Sequence, residues 1–150
     1  MANVRKYIQI DPIDNRENVA LGIRFPFNAE GVFYSTYTTK EQSKNNLLNI
    51  LLTQPGERIF QPNFGVGLRQ LLFENVIDTE KLKQNIISQT NLYLSQITIL
   101  DIQANKNPNE HTLFITITFR VNQTNEEETI QLNFNTDQNS PTGDNLGTQY

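Results

Sequence analysis

The chain has 150 residues, 37% of them hydrophobic, enough for the core of one globular domain and too few for a membrane protein, since no run of about twenty apolar residues occurs. Twelve Lys and Arg against 16 Asp and Glu leave a net charge of -4, which speaks against nucleic acid as a partner because phosphate contact rests on basic side chains. There is no cysteine, so disulfides and thiolate metal sites are excluded, and no apolar segment follows the first residues, so no secretion signal is expected.

In chain order, residues 1–20 read as an N-terminal arm, in which Pro12 bars a central strand. Residues 21–27 and 32–37 read as two short strands around Asn28-Ala29-Glu30-Gly31. Thr38-x-x-Glu41 is a capping box. The helix it opens carries Leu47, Leu48, Leu51 and Leu52 on one face, with Lys40, Lys44 and Asn45 nearer solvent. A densely punctuated segment follows. Pro55-Gly56 is expected to stop the helix, and Pro62 and Gly65 bracket Phe64, whose ring would pin the connection to the core. Gly56 and Gly65 are expected at positive φ. Glu57 and Arg58 lie between these points, where a loop presents them to a partner or to each other. Residues 67–74 read as a short helix with Leu68, Leu71 and Leu72 inward. Asp78 or Thr79 then caps a second long helix, with Leu82, Ile86 and Tyr93 at helical spacing.

The second half is β-rich. Residues 97–102 read as a strand and 105–109 as a turn cluster around Pro108. Leu113, Ile115, Ile117, Phe119 and Val121 alternate with Phe114, Thr116, Thr118, Arg120 and Asn122, the pattern of a half-buried strand. A turn over 122–125 leads to a partner strand with Ile130, Leu132 and Phe134 on its apolar face. Residues 135–150 read as a flexible polar tail. The expected fold class is α+β: a single small domain over 21–134, helices packed on a small, mostly antiparallel sheet that ends in a C-terminal β-hairpin.

Catalytic chemistry finds little support. A glycosidase needs two carboxylates across a cleft, one with a raised pKa. Glu57, Glu74, Asp78 and Glu80 are the clustered acids, and capping or ion pairing accounts for them. His111 is the lone histidine and has no second ligand type beside it, so no metal site is expected. Gly65-Val66-Gly67 lacks the third glycine and the lysine of a phosphate loop, so its expected role is backbone turning. Glu126-Glu127-Glu128 reads as a solvated acidic run in a hairpin turn. No catalytic residue, cofactor or metal is expected.

The central segment carries a resemblance. Thr53-x-Pro55-Gly56-Glu57-Arg58-x-x-x-Pro62-x-Phe64-Gly65-x-Gly67-Leu68, followed by Leu72-Phe73-Glu74, resembles the baseplate wedge family of contractile phage tails, often called tail lysozyme-like, which includes a subunit of type VI secretion baseplates. The resemblance spans residues 40–134. It implies an interaction element at Pro55, Gly56, Glu57, Arg58, Pro62, Phe64 and Gly65. It also implies a structural subunit that sits next to the tail tube, binds other baseplate wedge proteins and offers the tail sheath protein a starting surface, with no membrane and no nucleic acid among its partners. The location implied is the tail baseplate of the virion, after synthesis in the host cytoplasm. One departure stands out. Where the family carries Glu-Pro-Arg to grip the helical core of the wedge, this chain has Leu94, Ser95 and Gln96. Because sheath subunits of such tails lock by lending strands, the edge formed by Ile130, Gln131, Leu132, Asn133 and Phe134 is expected to pair with sheath. The rival readings are a peptidoglycan-cleaving tail enzyme and the equivalent subunit of a bacterial injection or secretion system.

Overall fold

The computed structural model describes residues 13–24, 34–74, 78–107 and 112–135. The arm around Tyr7 and Pro12, the turn at 28–31, Pro108, His111 and the tail beyond 135 lie outside the described residues. The elements run β1 (Gly22–Ile23), β2 (Ser35–Thr36), α1 (Thr39–Leu52), a 3-10 helix (Leu68–Leu72), α2 (Thr79–Tyr93), β3 (Ile97–Asn107), β4 (Thr112–Val121) and β5 (Glu127–Asn135). The first two strands pair as a short antiparallel ribbon, and the last three form an antiparallel meander with β4 in the centre. This is the α+β arrangement expected from the residue pattern.

The start of α1 is fixed by side chains. Thr38 Oγ1 accepts from the Glu41 amide at 3.2 Å, as a capping box requires, but the Glu41 carboxylate reaches the amide of Tyr37 and not that of Thr38 itself. Asp14 adds a second cap from far along the chain: its carboxylate accepts from the Thr39 amide at 2.8 Å and from the Thr39 hydroxyl at 2.9 Å. Two donors that a helix start leaves without partners are thereby satisfied. At α2 the cap is Asp78, which accepts from the Lys81 amide at 3.1 Å.

Alternation along β4 builds the core. Leu113, Ile115, Ile117, Phe119 and Val121 are each at most 1% exposed, and burying each such side chain is worth about 1.5–3 kcal/mol. Against them pack Leu47, Ile50 and Leu51 of α1, Leu82 and Ile86 of α2, and Ile130, Leu132 and Phe134 of β5.

Three expectations need correction. Asn105 and Asn107 do not turn the chain: β3 runs on through them and pairs with Thr112 and Phe114, because a hairpin partner outweighs the turn preference of asparagine. Asn45 is buried, and its amide donates to the Glu41 carbonyl at 2.7 Å. Glu127 and Glu128 belong to β5 and not to a solvated turn. Glu128 lies between Lys40, at 3.1 Å, and Lys44, at 3.0 Å, tying the start of β5 to α1. Its burial works to raise the carboxyl pKa, but the hydrogen bonds and charges of Lys44 and Lys40 outweigh this and hold it below the ordinary glutamate range.

Candidate functional site

The loop between α1 and the 3-10 helix is built by four devices. First, α1 has already ended at Leu52, with Thr53 extended, so Pro55-Gly56 is not the helix stop that the sequence implies. Those two residues occupy the centre of a separate turn, closed by the Glu57 amide donating to the Gln54 carbonyl at 3.1 Å. Pro followed by Gly at φ 96° is the signature of a type II turn. Second, the loop returns to the end of α1, where the amides of Val66 and Gly67 donate to the carbonyls of Ile50 and Thr53, each at 2.9 Å. That return brings Gly65, at φ 104°, so close that a β-carbon there would sit 2.2 Å from the Thr53 carbonyl oxygen. The expectation of positive φ at Gly56 and Gly65 holds, and Gly67, at φ 68°, shares it.

Third, Gln89 of α2 clamps the loop from the other side. Its amide accepts from the Gly65 amide and donates to the Asn63 carbonyl, both at 2.9 Å. Fourth, Phe64 is only 6% exposed, meets Tyr93 edge to face at 4.9 Å between centroids, and carries the Arg58 guanidinium 3.6 Å above its centroid. The Glu57 carboxylate, for its part, accepts from the Gln54 amide at 2.9 Å. Glu57 and Arg58, expected to face a partner or each other, do not pair with each other: each has a partner within the loop, with Glu57 exposed and Arg58 half-buried. The outermost side chains are the next two, Ile59 and Phe60, which the sequence pattern does not single out.

Two of the other acids have partners on α2. Asp78 caps α2, and Glu80 lies 3.8 Å from Lys83.

Leu94, Ser95 and Gln96 make the turn from α2 into β3. Leu94 is buried, and its amide donates to the Thr90 carbonyl at 2.8 Å. Asn122 of the β4–β5 turn holds the other two: its side-chain amide donates to the Ser95 carbonyl at 3.1 Å and its backbone amide to the Gln96 carbonyl at 2.9 Å. Thr98 completes the set by donating to the Asn122 side chain at 2.7 Å. The turn is therefore a braced corner without a charged side chain of its own.

The sheet offers two edges, and they differ. Beside β3 the register shifts between Ile99 and Asp101, a bulge that kinks the edge and places a carboxylate on the strand. Along β5 the register with β4 is unbroken from Asn135 to Glu127. At the hairpin the Val121 amide donates to the Glu126 carbonyl at 2.9 Å, so bonding pairs alternate from there: Glu128, Ile130, Leu132 and Phe134 face β4 with their main chain. The amides and carbonyls of Thr129, Gln131 and Asn133 point the other way and bond no described residue. The expected edge thus divides into an inward set, Ile130, Leu132 and Phe134, which is also buried, and an outward set, Gln131 and Asn133.

This architecture has known counterparts. Residues 39–126 match the family described as baseplate wedge protein gp25. The chain belongs to that family. The baseplate wedge protein gp25 of Enterobacteria phage T4 is 32% identical over 129 residues, covering 81% of this chain and 85% of that protein. Among solved structures, a putative tail lysozyme from Geobacter sulfurreducens superposes with a TM-score of 0.57 at 25% identity, over 70% of this chain and 97% of that one. A chain of the anti-feeding prophage baseplate gives a TM-score of 0.50 at 23% identity, over 69% of this chain and 82% of that one, a likeness of fold. As a gp25-family baseplate wedge protein, the chain is a baseplate component of a contractile phage tail or a related injection particle.

Proposed function

We propose that this chain is a structural, non-catalytic wedge subunit of a phage tail baseplate that binds other wedge proteins beside the tail tube and starts the sheath by accepting sheath strands on the outer edge of β5. The observation that carries the reading is the contrast between edges. A long unpaired edge without proline or bulge is a template for another strand, and soluble proteins ordinarily blunt such edges. Here β3 carries a bulge and an aspartate, while β5 is regular over nine residues. Main-chain pairing would fix strand register and tolerate sequence change in the partner. The braced turn of Leu94, Ser95 and Gln96 would then contribute shape to the wedge contacts and not charge, and the loop of Pro55, Gly56, Glu57, Arg58, Pro62, Phe64 and Gly65 would contribute shape with Glu57 as its exposed acid.

The higher identity to a phage protein supports the phage setting, and with it synthesis in the host cytoplasm and residence in the virion. Against a wall-cleaving role stands the use of Glu57 and Asp78 as internal hydrogen-bond acceptors. The test of sheath starting is sheath length on purified tails that carry Gln131→Pro. That change removes an outward amide and leaves the β4 ladder its donors. Truncated or missing sheaths support the reading, and sheaths of normal length on a folded variant refute it.

A further inference from the structure

Ile59 is 88% exposed and Phe60 is 96% exposed, the two most exposed large apolar side chains among the described residues. They sit together at the tip of a loop that is otherwise held at every turn. Behind them Arg58 stacks on Phe64, the Gln61 amide donates to the Arg58 carbonyl at 3.2 Å, and the Gly56 amide donates to the Pro62 carbonyl at 2.8 Å, closing the base. Neither side chain contributes to the core, so folding gives no reason for an apolar pair there. A rigid apolar tip loses little entropy when it binds, which is the character of an interface anchor.

We infer that Ile59 and Phe60 form a knob that inserts into an apolar pocket on a different protein of the same baseplate. This rests on the reading of the chain as a wedge subunit. Three observations select that occupant. Two side chains bury only a few hundred Å², well below the roughly 1,000 Å² that a free-standing complex needs, so the contact suits an assembly already held together elsewhere and not a dimer of this chain in solution. The exposed neighbours Gln54, Gln61 and Asn63 are uncharged amides, and the exposed Glu57 carboxylate accepts from the Gln54 amide at 2.9 Å, so the rim is polar with a single acid and no free base, which matches the surround of a protein pocket. A membrane-inserting tip would need basic residues in its rim to meet anionic headgroups, and the nearest one, Arg58, is stacked on Phe64.

The test uses the full chain in assembled particles. A photoreactive benzoylphenylalanine in place of Phe60 is irradiated in purified baseplates and the cross-linked peptide identified by mass spectrometry. The expected product joins position 60 to an apolar stretch of another baseplate protein. Alongside it, the double variant Ile59→Ser/Phe60→Ser should melt within about 3 °C of the parent, because both side chains lie in solvent. Its incorporation into baseplates should nonetheless fall at least tenfold, and incorporation of the parent should be unchanged in 1 M salt because no ion pair is involved. Cross-links confined to a second copy of this chain, capture by neutral or anionic vesicles, no cross-link, or normal incorporation of the folded double variant would each overturn the inference. Absence of the parent chain from purified baseplates would instead refute the wedge reading itself.

Discussion

The inter-helix loop and the outer edge of β5 are opposite ways of leaving something for a partner. In the loop the main-chain groups that hold its shape find partners within the molecule: three glycines take positive φ, Gln89 and the end of α1 absorb polar groups, and Ile59 and Phe60 are the large apolar side chains left outside. Along β5 the apolar side chains of Ile130, Leu132 and Phe134 are settled in the core, and it is the outward half of the main chain, at Thr129, Gln131 and Asn133, that has no strand beside it. On the proposed function, the loop would recognise shape and the edge would recognise any extended strand. A substitution that alters loop side chains should change which protein binds, whereas only a substitution that changes the backbone should silence the edge.

The seating of the loop depends most on Gly65. Gly65→Ala should cost about 3 kcal/mol or more, because strain at positive φ adds to a collision with the Thr53 carbonyl. Gly56→Ala should cost about 1–2 kcal/mol, since a β-carbon there meets nothing within 4 Å and only φ opposes it. Urea denaturation of both variants measures the difference, and equal costs would mean that the loop is less tightly seated on α1 than described.

A smaller effect is expected at Glu128, which holds the start of the β5 edge in place. Glu128→Gln should cost roughly 1 kcal/mol, a modest value because both lysines are partly exposed. The sign of its pH dependence follows from the lowered pKa. The pair's contribution is present above the ordinary glutamate pKa and is lost as the pH falls through the lower folded value. Denaturation at neutral and acid pH should show the gap between parent and Glu128→Gln closing on acidification; a gap that widens instead would contradict the pairing.

Smaller still is the stack on Phe64. Arg58→Ala should cost about 0.5–1 kcal/mol, and a double-mutant cycle with Phe64→Leu should return a coupling of that size. Zero coupling would leave Arg58 free to act as the partner-facing residue that the sequence implied. For Glu57→Gln the expected change in clearing of purified cell walls is none, and loss of a robust clearing activity in that variant would restore the enzymatic reading.

Local physics and the C-terminal hairpin were legible in the chain; the full length of β3 and the lysines of Glu128 were not. The alternation from Leu113 to Val121, the cap at Thr38 and the positive φ of Gly56 and Gly65 depend on neighbours within a few residues, and each stands in the structure as expected. Asn105 and Asn107 misled because their turn preference is local while their pairing with Phe114 and Thr112 is set by the hairpin. Glu128 read as solvated because its lysines lie more than eighty residues earlier in the chain. In the candidate site, the shape of the loop was legible from its prolines and glycines. Which of its side chains faced outward was not, since that depends on Phe64 and on Gln89 of the next helix drawing Arg58 and the backbone inward.

The central claim, that β5 is completed by a strand from the sheath, is tested most directly by sheath length on tails carrying Gln131→Pro, with the melting temperature of the free subunit measured beside it. Ala104→Pro is the control, because by the same alternation it removes an outward amide from the bulged β3 edge. A folded Gln131→Pro subunit on tails with short or absent sheaths is expected, with normal sheaths for Ala104→Pro. Normal sheaths on a stably folded Gln131→Pro subunit would contradict the claim.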